Sequence, residues 1–164
     1  MCSEAPATTA KVMQPEELTR QYLEQAKVMQ LATSLSDQSW ACTVHYYSDA
    51  DLNLYWISTK EREHSKHIAQ NPNVAAAVLV HLNTPEERYI IGISVQGKAE
   101  LIGEQLPGDL GQNYIQKTGR DPSLLSDIAS GKNPHKFYRL TPSKIVLFDS
   151  KYFRDNPRQE VVLG

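Results

Sequence analysis

Between Ser58 and Lys66 the chain reads Ser-Thr-Lys-Glu-Arg-Glu-His-Ser-Lys. Hydroxyls at Ser58 and Thr59 and ammoniums at Lys60 and Lys66, with Arg62 and His64 able to assist, are the donors that a terminal phosphate requires. A helix starting there would add unpaired amides and a partial positive charge, both suited to a dianion. The same residues have a plainer account. Ser58 and Glu61 stand at the Ser-x-x-Glu capping-box spacing, and Lys60-Glu-Arg-Glu63 would pair its charges on a solvated face. Both readings stand on these residues alone.

Other reactive side chains are scattered. His64 and His67 stand three apart and would share a helix face, but no third or fourth ligand accompanies them, so no metal site is expected. His45 and His81 fall in strand-like segments, where a histidine satisfied by its neighbours is the commoner outcome. Trp40, Tyr46, Tyr47, Tyr55 and Trp56 lie on successive strand-like segments. Core packing accounts for most of them, because strand alternation sends only one face toward any site; Trp40 or Tyr46 is the candidate exception. No Gly-x-Ser-x-Gly, His-Glu-x-x-His, phosphate-binding Gly-rich loop or dinucleotide fingerprint occurs, and no catalytic side chain can be assigned. Two cysteines, Cys2 and Cys42, make no disulfide framework; reduced thiols in the cytoplasm are expected.

The elements that must position these residues follow from periodicity. Gln14 to Met29 has Pro15 at a first helical position, Glu16 and Glu17 in the first turn, and a stripe of Leu18, Tyr22, Ala26 and Met29. This predicts an amphipathic helix on a sheet. Residues 30–35, 40–47 and 52–58 then alternate or are rich in aromatic and β-branched side chains, with polar turns between them, which predicts an antiparallel meander. A short polar helix over 60–70 ends at Asn71-Pro72. Strands are expected over 73–82 and 89–102, with Gly92 and Gly97 marking a bulge or a close approach. Two weak helical patterns fill 107–130, and strands return at 136–140 and 143–148. About six or seven antiparallel strands with short helices amount to a mainly β protein whose sheet closes into a barrel.

Bulk properties set limits. A chain of 164 residues fits one domain with a real core, here expected over 14–150 between a disordered tail at 1–13 and a polar tail at 151–164. A net charge of −2 excludes the broad basic field of a nonspecific nucleic-acid binder. No apolar run reaches bilayer length and the first ten residues lack a secretory pattern, so neither membrane nor export is expected.

The order and spacing of these segments resemble the pyridoxamine 5'-phosphate oxidase-like FMN-binding split barrels. The likeness is carried by Gln30-Leu-Ala-Thr-Ser-Leu35, Leu54-Tyr-Trp-Ile-Ser-Thr59, Ala69-Gln-Asn-Pro-Asn-Val74, Gly92-Ile-Ser-Val-Gln-Gly-Lys-Ala-Glu100 and Phe137-Tyr-Arg-Leu-Thr-Pro-Ser-Lys-Ile-Val146, and covers about residues 15–150. A small bacterial branch looks more similar than the oxidase itself. The resemblance implies a homodimeric split barrel that binds FMN between subunits and acts as an oxidoreductase on a small molecule. Carried over by position, it puts phosphate and ribityl contacts at Ser58, Thr59, Lys60, His64, Ser65 and Lys66. The flavin ring would lie near Ala41, Cys42, Thr43 and Val44, with Gly92 and Ile93 on the long strand. Where many relatives place Ser-Arg-Lys before the Asn-Pro, this chain has Arg62-Glu63-His64, so an acid replaces one cation. The oxidase's C-terminal signature for vitamin B6 phosphate is not matched around 133–149, and pyridoxamine phosphate oxidation is not expected. A flavin- or haem-binding module without turnover, or a cofactor-free barrel, is the alternative.

Overall fold

In the computed structural model, residues 13–80 and 89–164 are described; the predicted end of the strand at His81 and Leu82, and the loop after it, lie outside them. The elements are α1 (Pro15–Gln25), β1 (Val28–Leu35), β2 (Gln38–His45), β3 (Tyr47–Ser48), β4 (Leu54–Ser58), α2 (Glu63–Gln70), β5 (Asn73–Leu79), β6 (Ile91–Gly103), α3 (Leu110–Thr118), α4 (Ser123–Ala129), β7 (Lys136–Asp149) and β8 (Arg158–Val161). One sheet runs β2-β1-β5-β6-β7-β4-β3, with β8 beside β7, and every pairing is antiparallel. The mainly β, split-barrel reading of the sequence is the observed fold.

Alternation builds the core. Along β5, Val74, Ala76 and Val78 are buried while Ala75, Ala77 and Leu79 are exposed; β1 buries Met29, Leu31 and Thr33 in the same way. These inward residues meet Leu54, Trp56, Tyr138, Leu140, Ile145 and Leu147 in one cluster. Trp56 stacks on Tyr138 with ring centroids 5.6 Å apart. Helix α1 covers this core with Leu18, Tyr22 and Leu23. A smaller cluster of Tyr114, Ile115, Ile128 and Phe137 fastens α3 and α4 against β7.

Several boundaries differ from the sequence reading, each for a local reason. Helix α1 stops at Gln25 and Ala26 is already extended, so Met29 belongs to β1, where it is 1% exposed. The hairpin between β1 and β2 uses only Ser36 and Asp37, both at positive φ, as a two-residue turn matching strand twist requires. The predicted break at Thr141-Pro142 does not occur. Pro142 lies where β7 slips register against Gly97 of β6, and an irregularity of that kind is where a residue without an N–H is tolerated. The 143–148 segment therefore continues the 136–140 segment as one strand. The stretch read as a polar C-terminal tail contains β8, which pairs with Ile145–Phe148.

The capping-box reading is also corrected. Helix α2 begins at Glu63, with Arg62 as its N-cap and no side-chain cap bond. Ser58 ends β4 instead, and its hydroxyl is engaged elsewhere.

Candidate functional site

Strand β2, the end of β4 and the start of α2 come together around a cavity of about 550 Å³, within the span of roughly 300–1,000 Å³ typical of small-molecule sites. Ser58 closes one side. Its Oγ lies 2.8 Å from His64 Nε2, accepts from Ser65 Oγ at 3.2 Å, and donates to the Thr59 carbonyl at 3.3 Å. A serine oxygen has one proton and two lone pairs. With its proton on Thr59 O, Ser58 accepts from His64 Nε2–H, so the neutral His64 tautomer presents Nδ1 as an acceptor. That atom faces Cys42 Sγ at 3.3 Å.

The rim carries charge of both signs, with Arg62 and Arg120 against Glu61 and Glu63. Arg62 and Arg120 line the cavity together with His64, His135 and His45. Burial lowers the His64 pKa from its ordinary value, helped by the charge of Arg62 and by His67. His135 is lowered by burial and then by Arg120 and Arg62, and its Nδ1 is 2.6 Å from Asn133 Oδ1. Fully buried Tyr114 lines the same space, and its hydroxyl, itself inaccessible, has no hydrogen-bond acceptor among the described residues. Burial pushes that phenol up to about 12, against the pull of Arg120 and the Ile57 backbone amide. Arg62, Arg120 and the uncapped amides of α2 are the donors that an anion could use here.

Glu61 and Glu63 also border the cavity. The Glu63 carboxylate is 3.2 Å from His67 Nε2 and 3.9 Å from Lys66 Nζ, so its charge is turned toward its own helix. His67 is held on its other side by Thr33, 3.0 Å from Nδ1. His64 and His67 thus face different partners, and among the described residues no cluster of three or more His, Cys, Asp or Glu could enclose a metal.

Of the residues the sequence singled out, Cys42, Thr43, Val44, Ser58 and His64 line this cavity. Ser65 is 3% exposed and supports Ser58 from behind. Thr59 is half-buried and Lys60 and Lys66 are exposed; none of the three borders the cavity. Ala41 lies on the outer face of β2. Gly92 sits opposite Leu79 on β6, and Ile93 is 1% exposed in the barrel core, so neither shares the cavity within one chain. Among the aromatics, Trp40 is 47% exposed at the rim, whereas Tyr46 is fully buried and donates to the Leu23 carbonyl. Arg120, Tyr114 and His135 were not legible as site residues. They arrive from the segment running from α3 to the start of β7, more than forty positions after α2 ends, and no local pattern marks them.

The profile of the family described as pyridoxamine 5'-phosphate oxidase matches residues 15–148, and the chain belongs to that family. Three similar solved structures share the fold. A conserved hypothetical protein of Mycobacterium tuberculosis aligns with TM-score 0.68 and 16% identity, over 93% of this chain and 95% of that one. A FAD-binding protein of Mesorhizobium loti aligns at 0.55 and 24%, over 81% and 92%. The heme storage protein HutZ of Vibrio cholerae aligns at 0.60 and 14%, over 81% and 94%. No curated protein matches the sequence.

Proposed function

We propose that this chain binds FMN in the cavity between β2, β4 and α2, and works as a homodimeric oxidoreductase on a small organic molecule. The observation that carries this reading is the convergence of Arg62 and Arg120 on the cavity at the start of α2. Arg62 and Arg120 would hold the terminal phosphate, joined by His64 and His135 once these are protonated. The residues fit the group although Glu61 and Glu63 border the cavity, because the Glu63 carboxylate is turned toward Lys66 and His67 and the two arginines outweigh Glu61. When bound, FMN supplies hydride-transfer chemistry that no side chain of this protein offers. Cys42 and Val44, on the half-buried face of β2, would border the ring, and Trp40 would shield its edge from water.

A partner subunit has a surface to use. The outer face of β1, β5 and β6 carries exposed Ala32, Ala75, Ala77 and Ser94, side chains small enough for a second sheet to approach closely. Such a partner would complete a site left open on one chain.

A second reading, a haem-binding module without turnover, draws on His45, His64 and His135 around the same cavity. The visible spectrum of the purified protein separates the two. Flavin absorption that survives gel filtration supports the first reading. An intense haem band, or a colourless protein that takes up haem but not FMN, replaces it with the second.

A further inference from the structure

We propose that Cys42 is a reactive thiol, with His64 as its base and Ser58 positioning that base, and that it exchanges with small disulfides bearing carboxylates. The proposal stands on geometry independent of any flavin. With the Ser58 proton on the Thr59 carbonyl, His64 carries its proton on Nε2, bonded to Ser58, and leaves a bare Nδ1 lying 3.3 Å from Cys42 Sγ. Ser58 is itself locked, by Thr59 O on one side and Ser65 Oγ on the other. This is the arrangement of an activated nucleophile: thiol, imidazole, and a third group that fixes the imidazole. Cys42 is half-buried yet opens into the cavity, so a reagent can reach it.

Burial raises the Cys42 pKa and lowers that of His64, so at rest the pair is a neutral thiol beside a neutral imidazole. His64 then acts by removing the proton as sulfur attacks, rather than by holding a preformed thiolate. Around it stand Arg62, Arg120 and His135, with Glu61 and Glu63 at the border and His67 behind. Glu63 is drawn to Lys66 and His67, so at the mouth the two exposed arginines outweigh Glu61 and favour a disulfide that carries carboxylates.

The step balances. Cys42 Sγ attacks one sulfur of the disulfide while its proton passes to His64 Nδ1. A new S–S bond forms as the old one breaks, and the departing thiolate takes the proton from His64 and leaves as a thiol. Cys42 ends oxidised as a mixed disulfide, and the released half is reduced. Because the adduct occupies the anion cavity, it would exclude a phosphate-bearing ligand from the same space.

The test uses the full chain carrying Cys2→Ser, which leaves Cys42 as its one thiol. Intact mass follows adduct formation with anionic glutathione disulfide and with cationic cystamine, without flavin, from about pH 5 to about pH 9. Glutathione disulfide is expected to react at least ~10-fold faster than cystamine at low salt. Its rate should rise through the imidazole range, below the ordinary thiol pKa, and Arg62→Gln with Arg120→Gln should erase the preference. His64→Gln should remove the low-pH inflection. If these variants do not fold, the charge preference and the pH profile of the Cys2→Ser protein decide. Equal rates with the two disulfides, or a rate that climbs only with thiol ionisation, overturns the proposal. FMN titration of the same protein, read by fluorescence, decides the cofactor separately.

Discussion

Arg62 and Arg120 are exposed side chains brought to one cavity from segments far apart in sequence, and in the proposed site their value would lie in charge-assisted bonds to an anion rather than in stability. Replacing either by Gln is expected to cost FMN affinity about 10-fold or more, equivalent to ~1.5–3 kcal/mol for a bond to a charged group. The melting temperature without ligand should hardly move. Fluorescence titration with FMN checks the first statement and calorimetry the second. Lys66→Ala, by contrast, removes only an exposed partner of Glu63 and should leave affinity within a few-fold. His64 and His135 give the site a pH dependence. Their folded pKa values are depressed below the ordinary 6.5, so below that value the unfolded chain takes up protons that the folded chain resists. Stability from these groups is present above about pH 6.5 and is lost as pH falls toward their folded values. Denaturant midpoints measured across this window are expected to drop in the unaltered protein. The His64→Gln, His135→Gln double variant should show a smaller drop. A bound dianion would favour protonated imidazoles, so FMN binding should also take up protons, measurable by calorimetry in buffers of different ionisation enthalpy.

At the scale of elements, two devices hold the strands that carry the site. Gly97 sits at the register slip between β6 and β7, where an added Cβ would collide with the Thr141 carbonyl oxygen and press on Pro142. Gly97→Ala is expected to destabilise the fold by ~1–3 kcal/mol, read from the urea midpoint. Asp149 ends β7 fully buried; its carboxylate accepts from Tyr22 Oη at 2.8 Å and from the Lys151 and Tyr152 amides at 2.8 and 2.9 Å. Asp149→Ala would orphan all three donors and loosen α1 from the turn leading to β8. What could be read from the sequence follows from where information is local. Alternation in Val74-Ala-Ala-Ala-Val78 and the Gln30–Leu35 segment revealed strands, because period two sorts side chains between core and outer face. Gly97 announced an irregularity, since only a missing Cβ allows that approach. Ser58 misled, because a serine three residues before a glutamate suits a cap equally well as a strand end. Its true partner, His64, is chosen by tertiary packing. Pro142 misled for the matching reason: a proline reads as a break unless the bulge opposite it is known.

For the whole molecule, the family and the split-barrel fold were accessible from the order of segments, whereas the cavity was accessible only in part. Cys42, Ser58 and His64 belong to the patterned first half of the chain. Tyr114, Arg120 and His135 come from a helical insertion whose sequence shows only weak periodicity, and the chain must fold before they meet Arg62. The proposed homodimer belongs to the same scale. Placing an arginine on the flat outer sheet, as in Ala77→Arg, is expected to split a homodimer into monomers in light scattering and to weaken FMN binding with it, because a charge desolvated between two sheets has no partner. A monomer that still binds FMN fully would place the whole site within one chain. The most direct test of the anion site is thermal unfolding of the protein with FMN and, in parallel, with riboflavin, which has the same ring and no phosphate. At about 100 times its dissociation constant, FMN should add ~2.7 kcal/mol and raise the melting temperature by roughly 5–10 °C, while riboflavin at equal concentration does little. Equal shifts with both ligands, or none with FMN, would contradict the account.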